Sequence, residues 1–482
     1  MPTRSTVILF LLAAVPLGPP SAAAQASQAP GPTPSVFTEA LPPADFAARR
    51  AQVMAAVGDG VAVLQGAAER PAEAPFRQNT QFFYLTGVEV PRAILVVDGK
   101  AKRSTLFIPD YSRRERQYGP MLWPDADAPR ITGIESVQER EAFTATAQAL
   151  AGRVVYTPLR PEVLGSGSSF DAIRTARASK ADPWDGRPSR EEAFAEKLRA
   201  IPNTEVKDLD PIVDGLRAIK TPGEIALIRE ATRIAGLGIL EAMRDARPGM
   251  REYELQADAE FVFTQHGAQG AAYFALVATG TNTLYTHYHK GTAVLADGDL
   301  VQFDYAPDYR YYVSDVTRVF PANGRFTPRQ REFYTIYLRL YQALMTSIRP
   351  HVAPREIVRA AVAKMDAVMT GFTFTDPKIK AAATQFIERY RASTAKDLGH
   401  TVGLEVHDVP LGSDVLRPGH LFTIEPAMII EDEHLGIRLE DVLLVTETGY
   451  ENLSAFVPVE IPEIEKLMAE PGLSDAALRL AR

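Results

Sequence analysis

Four acidic residues in two short stretches, with a histidine between them, are the groups in this chain best placed to do chemistry. Residues 300–319 read LVQFDYAPDYRYYVSDVTRV, two strand-like runs flanking Pro307-Asp308-Tyr309-Arg310. Residue numbers that face each other across a hairpin have a constant sum, and Asp304 and Asp315 share theirs with 309 and 310 at the expected tip. That register sets the two carboxylates opposite each other with Cβ atoms about 4.5–5.5 Å apart. Like charges so placed are destabilising unless protonated or bridged by a cation. Alternation puts Gln302, Asp304 and Ala306 on one face and Val301, Phe303 and Tyr305 on the other. Residues 421–445, LFTIEPAMIIEDEHLGIRLEDVLLV, repeat the pattern: Glu425 and Glu440 share their sum with 432 and 433. Either aspartate alone would read as a solvated surface residue; two facing pairs in apolar contexts point to a site, and hint at two related halves. Between the hairpins lies Asp397-Leu-Gly-His400-Thr-Val-Gly-Leu-Glu-Val-His407-Asp408, where the Gly-flanked His400 is the nitrogen ligand.

Four clustered carboxylates carry a charge that two divalent cations neutralise, whereas buried without metal they would cost several kcal/mol for each unpaired charge. Oxygen-rich ligation with one imidazole suits Mn²⁺ best, with Zn²⁺, Co²⁺ or Fe²⁺ as alternatives. Two such ions about 3.5–4 Å apart activate a shared water and polarise a carbonyl, so the expected chemistry is hydrolytic.

These residues need a rigid mixed α/β frame, and the sequence supplies one. Val61–Leu64, Ala93–Val97 and Ser104–Ile108 read as buried strands, with Asp98-Gly99 as the turn between the last two. Residues 181–190, ADPWDGRPSR, break the pattern near a domain boundary. Thr221-Pro222-Gly223-Glu224 is a helix start with Thr as N-cap, Pro at the first position and Glu at the third. Apolar residues then recur at helical spacing from Ile225 to Ile239, Arg247-Pro248-Gly249 ends that helix, and another spans about 251–266. The expected organisation is an export signal over 1–26 (Arg4, an apolar run from Val7 to Leu17, then small residues), a tether over 27–44, an α/β domain over 45–200, a catalytic domain over 205–465 and a tail over 466–482. The apolar run is shorter than the roughly 20 residues of a membrane span. The mature chain is therefore expected outside the cytoplasm, secreted or periplasmic, and free of the membrane.

Composition narrows the chemistry further. The 482 residues contain no cysteine, which removes thiol nucleophiles, disulfides and iron–sulfur clusters. Net charge is −8 without a long basic run, which argues against nucleic acid as a partner.

The order Asp304, Asp315, His400, Glu425, Glu440 resembles the pita-bread metallopeptidases, a family that includes methionine aminopeptidase, aminopeptidase P and prolidase. The likeness is greatest to aminopeptidase P and spans about residues 45–460. It is carried by FRQNTQFFYLTG at 76–87, IKTPGEIALIREA at 219–231, RPGMREYEL at 247–255, SDVTRVFPANGRFT at 314–327, VGLEVHD at 402–408 and GIRLED at 436–441. The resemblance implies a creatinase-like α/β domain followed by a pseudo-two-fold catalytic domain. It implies that Asp304 binds one metal, that Asp315 and Glu440 bridge both, and that His400 and Glu425 complete the other metal's set of ligands. It further implies that Glu425 relays a proton, that His287 contacts substrate, that His407 stabilises the tetrahedral intermediate, and that Arg438 lies near the site. Such family members are often dimers or tetramers, so a homo-oligomer is implied too.

Two positions depart from the family. Lys396 stands where a further histidine is common, and an ammonium there would attract a peptide carboxylate. Tyr288-His289-Lys290 replaces a more acidic stretch. The expected substrate is a peptide with proline second: an Xaa–Pro bond is a tertiary amide with no N–H and a fixed φ, which general peptidases handle poorly. The alternatives are a prolidase confined to Xaa-Pro dipeptides and a non-catalytic peptide-binding relative.

Overall fold

Val61–Leu64 is apolar throughout because its strand is covered on both faces. In the computed structural model, β1 (Val61–Gln65) sits inside a six-stranded mixed sheet with β2 (Ile94–Asp98), β3 (Arg103–Ile108), β4 (Ser136–Glu139), β5 (Val154–Thr157) and β6 (Glu205–Asp208), in the order β4-β3-β2-β1-β5-β6. Val61 and Val63 pack with Ile94, Val96, Phe107 and Leu198, whereas Ala62 and Leu64 join the main core on the other face. That two-sided burial explains a strand without polar alternation. The structure describes residues 40–69, 75–111, 121–163 and 167–474. The export segment expected over 1–26 lies outside the described residues, as do most of the tether and the tail from 475 on. Two boundaries move. Helix α1 (Pro43–Val57) starts inside the expected tether, with proline in its first turn. Strand β6 pairs in parallel with β5, so the first sheet extends beyond 200 and takes in residues expected to open the next domain.

The second unit repeats a pattern of long helices followed by a three-stranded antiparallel sheet. Helices α2 (Pro222–Asp245) and α3 (Glu252–Gln265) precede the sheet of β7 (Leu276–Thr279), β8 (Leu300–Asp304) and β9 (Thr317–Pro321). Helices α4 (Pro328–Met345), α5 (Pro354–Gly371) and α6 (Pro377–Arg391) precede the sheet of β10 (Leu421–Ile424), β11 (Asp441–Val445) and β12 (Tyr450–Asn452). The Thr221/Glu224 capping box is complete at the start of α2. A backbone bridge joins the sheets: Glu440 N–H donates to Thr317 O at 3.1 Å and Thr317 N–H to Glu440 O at 3.4 Å. Buried Arg318 braces this seam, donating to Glu440 O at 2.8 Å and pairing with Asp441 at 2.8 Å. Among the described residues, no helix is long and apolar enough to cross a membrane.

The two hairpins differ in how far sequence symmetry fixed their register. In the second, Leu421 faces Leu444 and Ala427 faces Arg438, which is the sum expected for Glu425 and Glu440. In the first, Asp304 faces Thr317 and Tyr309 faces Tyr312. The turn is therefore one residue later than expected, and Asp304 and Asp315 are diagonal neighbours on the same face instead of direct opposites. Arg310 and Tyr311 both have positive φ, 53° and 72°, as a two-residue type I′ turn requires. Neither is a usual turn residue, so nothing local marks the tip.

Tertiary contact holds that turn. Tyr311 stacks on Phe83 at 3.7 Å, its hydroxyl accepts from Gln78 N–H at 2.9 Å and donates to Glu89 at 2.7 Å, and Arg77 pairs with Asp308. The FRQNTQFFYLTG motif thus acts as a socket of the first domain for the hairpin carrying Asp304 and Asp315. The main hydrophobic core runs through both units without interruption.

Candidate metal centre

His400 is pinned to the edge of β10. Thr423 N–H donates to His400 O at 2.8 Å, and Thr401 bridges Phe422. A Cβ on Gly399 would collide with the Thr423 carbonyl oxygen, so only glycine lets the histidine strand approach this closely. A Gly399→Ala variant is expected to fold yet to lose about tenfold or more in metal affinity, because a ligand displaced by a few tenths of an ångström no longer meets its partners. Titration of the purified variant with Mn²⁺ checks this; parent-like affinity would show that the close approach is dispensable.

From that strand, His400 Nε2 points at three carboxylates: Glu425 Oε1 at 3.3 Å, Asp315 Oδ2 at 3.4 Å and Glu440 Oε1 at 3.5 Å. One ligand atom each from Asp315, His400 and Glu440 fall within 4.8 Å of one another. Glu425 sits beside them between β10 and β13 (Ala427–Ile430), where Pro426 interrupts the ladder. Asp304 is outside this three-residue cluster but tied to it, since the Tyr273 hydroxyl lies 2.6 Å from both Asp304 Oδ1 and Asp315 Oδ1. Asp304 also pairs with Arg438, which reaches Glu425 Oε2 at 3.6 Å. All five expected ligands thus converge through direct contact or one shared hydroxyl.

The electrostatics are those of a cation site. Burial, with the charges of Asp315 and Glu425, holds the Glu440 carboxyl well above the usual carboxylate range. Burial likewise raises Asp304 to about 7, despite the Arg438 guanidinium beside it and with the Asp315 charge adding to the rise. For His400, burial lowers the pKa, but hydrogen bonds to Asp315, Glu425 and Glu440 overcome it and hold the imidazole well above its ordinary value. Burial and the adjacent aspartates keep Tyr273 protonated, and so a donor. A proton on His400 here occupies the place that metal binding would require it to leave. The residues fit a divalent ion on a further observation: Glu440, 1% exposed, has Oε2 satisfied by Thr317 Oγ1 at 2.8 Å, while Oε1 is met only by the His400 imidazole at 3.5 Å, too far and too poorly aligned to satisfy it. A buried carboxylate oxygen without a donor is costly unless a cation meets it.

The remaining expected residues surround this core. His407 is half-buried, its ring 4.2 Å from that of His400 in an edge-to-face arrangement. The tight return of its loop, with Asp408 N–H donating to Thr401 O at 2.9 Å, brings it back beside the ligand. His287 is exposed on a loop anchored by Tyr288 OH to buried Glu252 at 2.9 Å, and Arg438 Nη1 lies 3.5 Å from Thr286 O in the same loop. His289 is exposed and packs on Phe274, and Lys396 is exposed on a surface cavity with Arg355 and Asp414. Sequence reasoning missed Tyr273 and Thr317, the hydroxyl donors to the carboxylates. Thr317 was visible as the partner of Asp304 only once the turn was placed correctly; no signal in the sequence singled out Tyr273.

The profile of Metallopeptidase family M24 matches residues 226–447, and that of the aminopeptidase P amino-terminal domain matches residues 46–156. A Xaa-Pro aminopeptidase of Escherichia coli is 32% identical over 446 residues, spanning 88% of this chain and 97% of that protein. One from Haemophilus influenzae is 29% identical over 450 residues, spanning 89% and 98%. Among solved structures, proline aminopeptidase P II from Yersinia pestis superposes with a TM-score of 0.70 at 31% identity, covering 89% of this chain and 99% of that one. A putative aminopeptidase P from Bacillus anthracis gives 0.74 at 28% identity, with 89% and 99% covered.

Proposed function

Since the chain belongs to Metallopeptidase family M24 and carries the aminopeptidase P amino-terminal domain, we propose that it is an exported Xaa-Pro aminopeptidase with two divalent metal ions, Mn²⁺ first among them. The observation that carries this reading is the convergence of Asp315, His400 and Glu440 ligand atoms within 4.8 Å, flanked by Glu425 and by Asp304. Asp304, Asp315, His400, Glu425 and Glu440 would hold the ions, which when bound lower the pKa of water and polarise a carbonyl.

The chain's own groups supply the rest. Arg438 fixes the Asp304 carboxylate and steers Glu425. The Glu425 side chain is 31% exposed, unlike buried Glu440, so it can exchange a proton with substrate. It takes a proton from the attacking water on a carboxylate oxygen and delivers it to the proline nitrogen as the C–N bond breaks. His407 stands beside His400, where an imidazole N–H would meet the negative charge growing on the carbonyl oxygen. His287, exposed on its anchored loop, would contact the incoming peptide.

The test is a panel of Xaa-Pro-Xaa tripeptides and Xaa-Pro dipeptides with added Mn²⁺, before and after chelation, on the parent and on Glu425→Ala. Tripeptide turnover that chelation abolishes is expected, with a loss of about 10²–10⁴-fold in the variant. Dipeptide-only turnover would make the protein a prolidase. Metal uptake without turnover of either would leave it a binding protein. Equal turnover by the variant removes Glu425 from the mechanism. Export is supported by the charged, apolar and small-residue order of residues 1–26. Amino-terminal sequencing of protein from the extracytoplasmic fraction, beginning near Gln25 or Ser27, checks it.

A further inference from the structure

Among the described residues the His407 imidazole has no hydrogen-bond partner, so its backbone and its edge-to-face contact with His400 set where the ring stands. That backbone is gripped on both sides. Two residues before it, Glu405 accepts from Thr80 Oγ1 at 2.8 Å and from Ser169 N–H at 2.6 Å, and pairs with Arg217 Nη2 at 3.1 Å. One residue after it, Asp408 pairs with the same Arg217 and with Lys220 Nζ at 2.8 Å. Arg217 Nη1 also reaches Gln81 Oε1 at 3.1 Å, and Lys220 Nζ donates back to Arg217 O at 2.8 Å. The four charged side chains are 1–2% exposed. A Cβ on Gly403 would collide with the Asp408 carboxylate, so the loop leaves room for this ion pair and no more.

We propose that Arg217 is a positioning residue for His407: by holding Glu405 and Asp408 together, and both to Gln81 and Thr80 of the first domain, it fixes the imidazole against the reacting carbonyl. The inference rests on the peptidase reading above. It gives the amino-terminal domain a part in catalysis that passes through neither metal nor substrate. Two cations and two anions balance in this cluster, and removing Arg217 leaves buried carboxylates free to move apart.

The test is a double-mutant cycle on the full, Mn²⁺-loaded chain with an Xaa-Pro-Xaa tripeptide. The set is the parent, Arg217→Met, Arg217→Lys, Thr80→Val and His407→Ala, with each Arg217 and Thr80 change also combined with His407→Ala. Arg217→Met is expected to lower kcat about tenfold or more, with KM within about threefold and metal content unchanged; Arg217→Lys recovers part, and Thr80→Val costs a few-fold. In the His407→Ala background the same changes are expected to cost less than about twofold. Equal losses in both backgrounds, or losses carried by KM or by metal content, overturn the proposal. Should Arg217→Met not fold, Thr80→Val, which removes one neutral donor, carries the cycle, and an unchanged kcat overturns it. A parent without turnover refutes the peptidase reading separately. In that case the His407 ring-proton signal of ¹³C-histidine-labelled chain, identified by its loss in His407→Ala, must still shift or broaden in Arg217→Met or Thr80→Val. An unmoved signal overturns the positioning role.

Discussion

Glu440→Gln is expected to abolish peptide turnover, by at least roughly 10³-fold, while leaving the metal-free protein as stable as the parent or more so. The two effects part because the role proposed for Glu440 is to hold metal and not the fold. Its carboxylate is buried at the seam between the two sheets, with Oε2 held by Thr317 and Oε1 facing His400 and Asp315. Burial and neighbouring like charge already hold it well above the usual carboxylate range. A neutral amide of the same shape removes that repulsion, worth on the order of 1–2 kcal/mol. The same amide loses a ligand and turns a donor toward Asp315, so the ions are not retained. Elemental analysis, steady-state kinetics and urea unfolding of metal-free protein check all three parts. Full metal content with parent-like kcat would refute the assignment of Glu440.

Arg438→Met is expected to be the reverse case, costing both stability and activity. Arg438 is 4% exposed and is the guanidinium closest to the carboxylate set, paired to Asp304 and within 3.6 Å of Glu425. Removing one partner of a buried pair costs about 3–5 kcal/mol, because the remaining charge is left uncompensated. Metal-free protein should show that loss by urea unfolding, and saturating Mn²⁺ should recover much of it, since the ions can then neutralise Asp304. The sign with pH follows from Asp304, which burial raises to about 7 even with Arg438 present. Without the arginine its carboxyl rises further, so ionised Asp304 is available only at higher pH. Mn²⁺ must displace that proton, so the pH at which the metal-free variant takes up Mn²⁺ should lie above that of the parent, and turnover near neutrality at limiting metal should fall with it. An unshifted uptake curve would mean that Arg438 does not govern Asp304.

What could be read from the sequence depended on whether the information was local. The helix start at Thr221-Pro222-Gly223-Glu224 carries its own capping chemistry, and the structure completes the box there. The second hairpin kept its expected register because Asp432 and Glu433 lie in the connecting turn and the ladder on either side of Pro426 shares one sum. The first hairpin did not, because Arg310 and Tyr311 adopt positive φ under the influence of Phe83, Gln78 and Arg77, more than two hundred residues earlier in the chain. Tyr273 was illegible for a similar reason: a tyrosine becomes a carboxylate donor only once three separate segments meet. Glu405 and Asp408 look like ordinary surface acids in VGLEVHD, yet both are buried against Arg217. The type of each residue was plain, but its partner was not.

The socket for Tyr311 means that the catalytic half is not a portable module. Cut away from residues 40–208, the ribbon over 300–321 would lose the surface that pays for an Arg–Tyr turn, and its tip would be free to slip back by one residue. Slippage of that kind would bring Asp304 and Asp315 into head-on repulsion and carry Thr317 out of alignment with Glu440. The neighbouring domain thus works as a jig that holds the ribbon by its tip, and any insertion, deletion or fusion between residues 76 and 87 would be felt first as poor metal retention, well before the peptide is met.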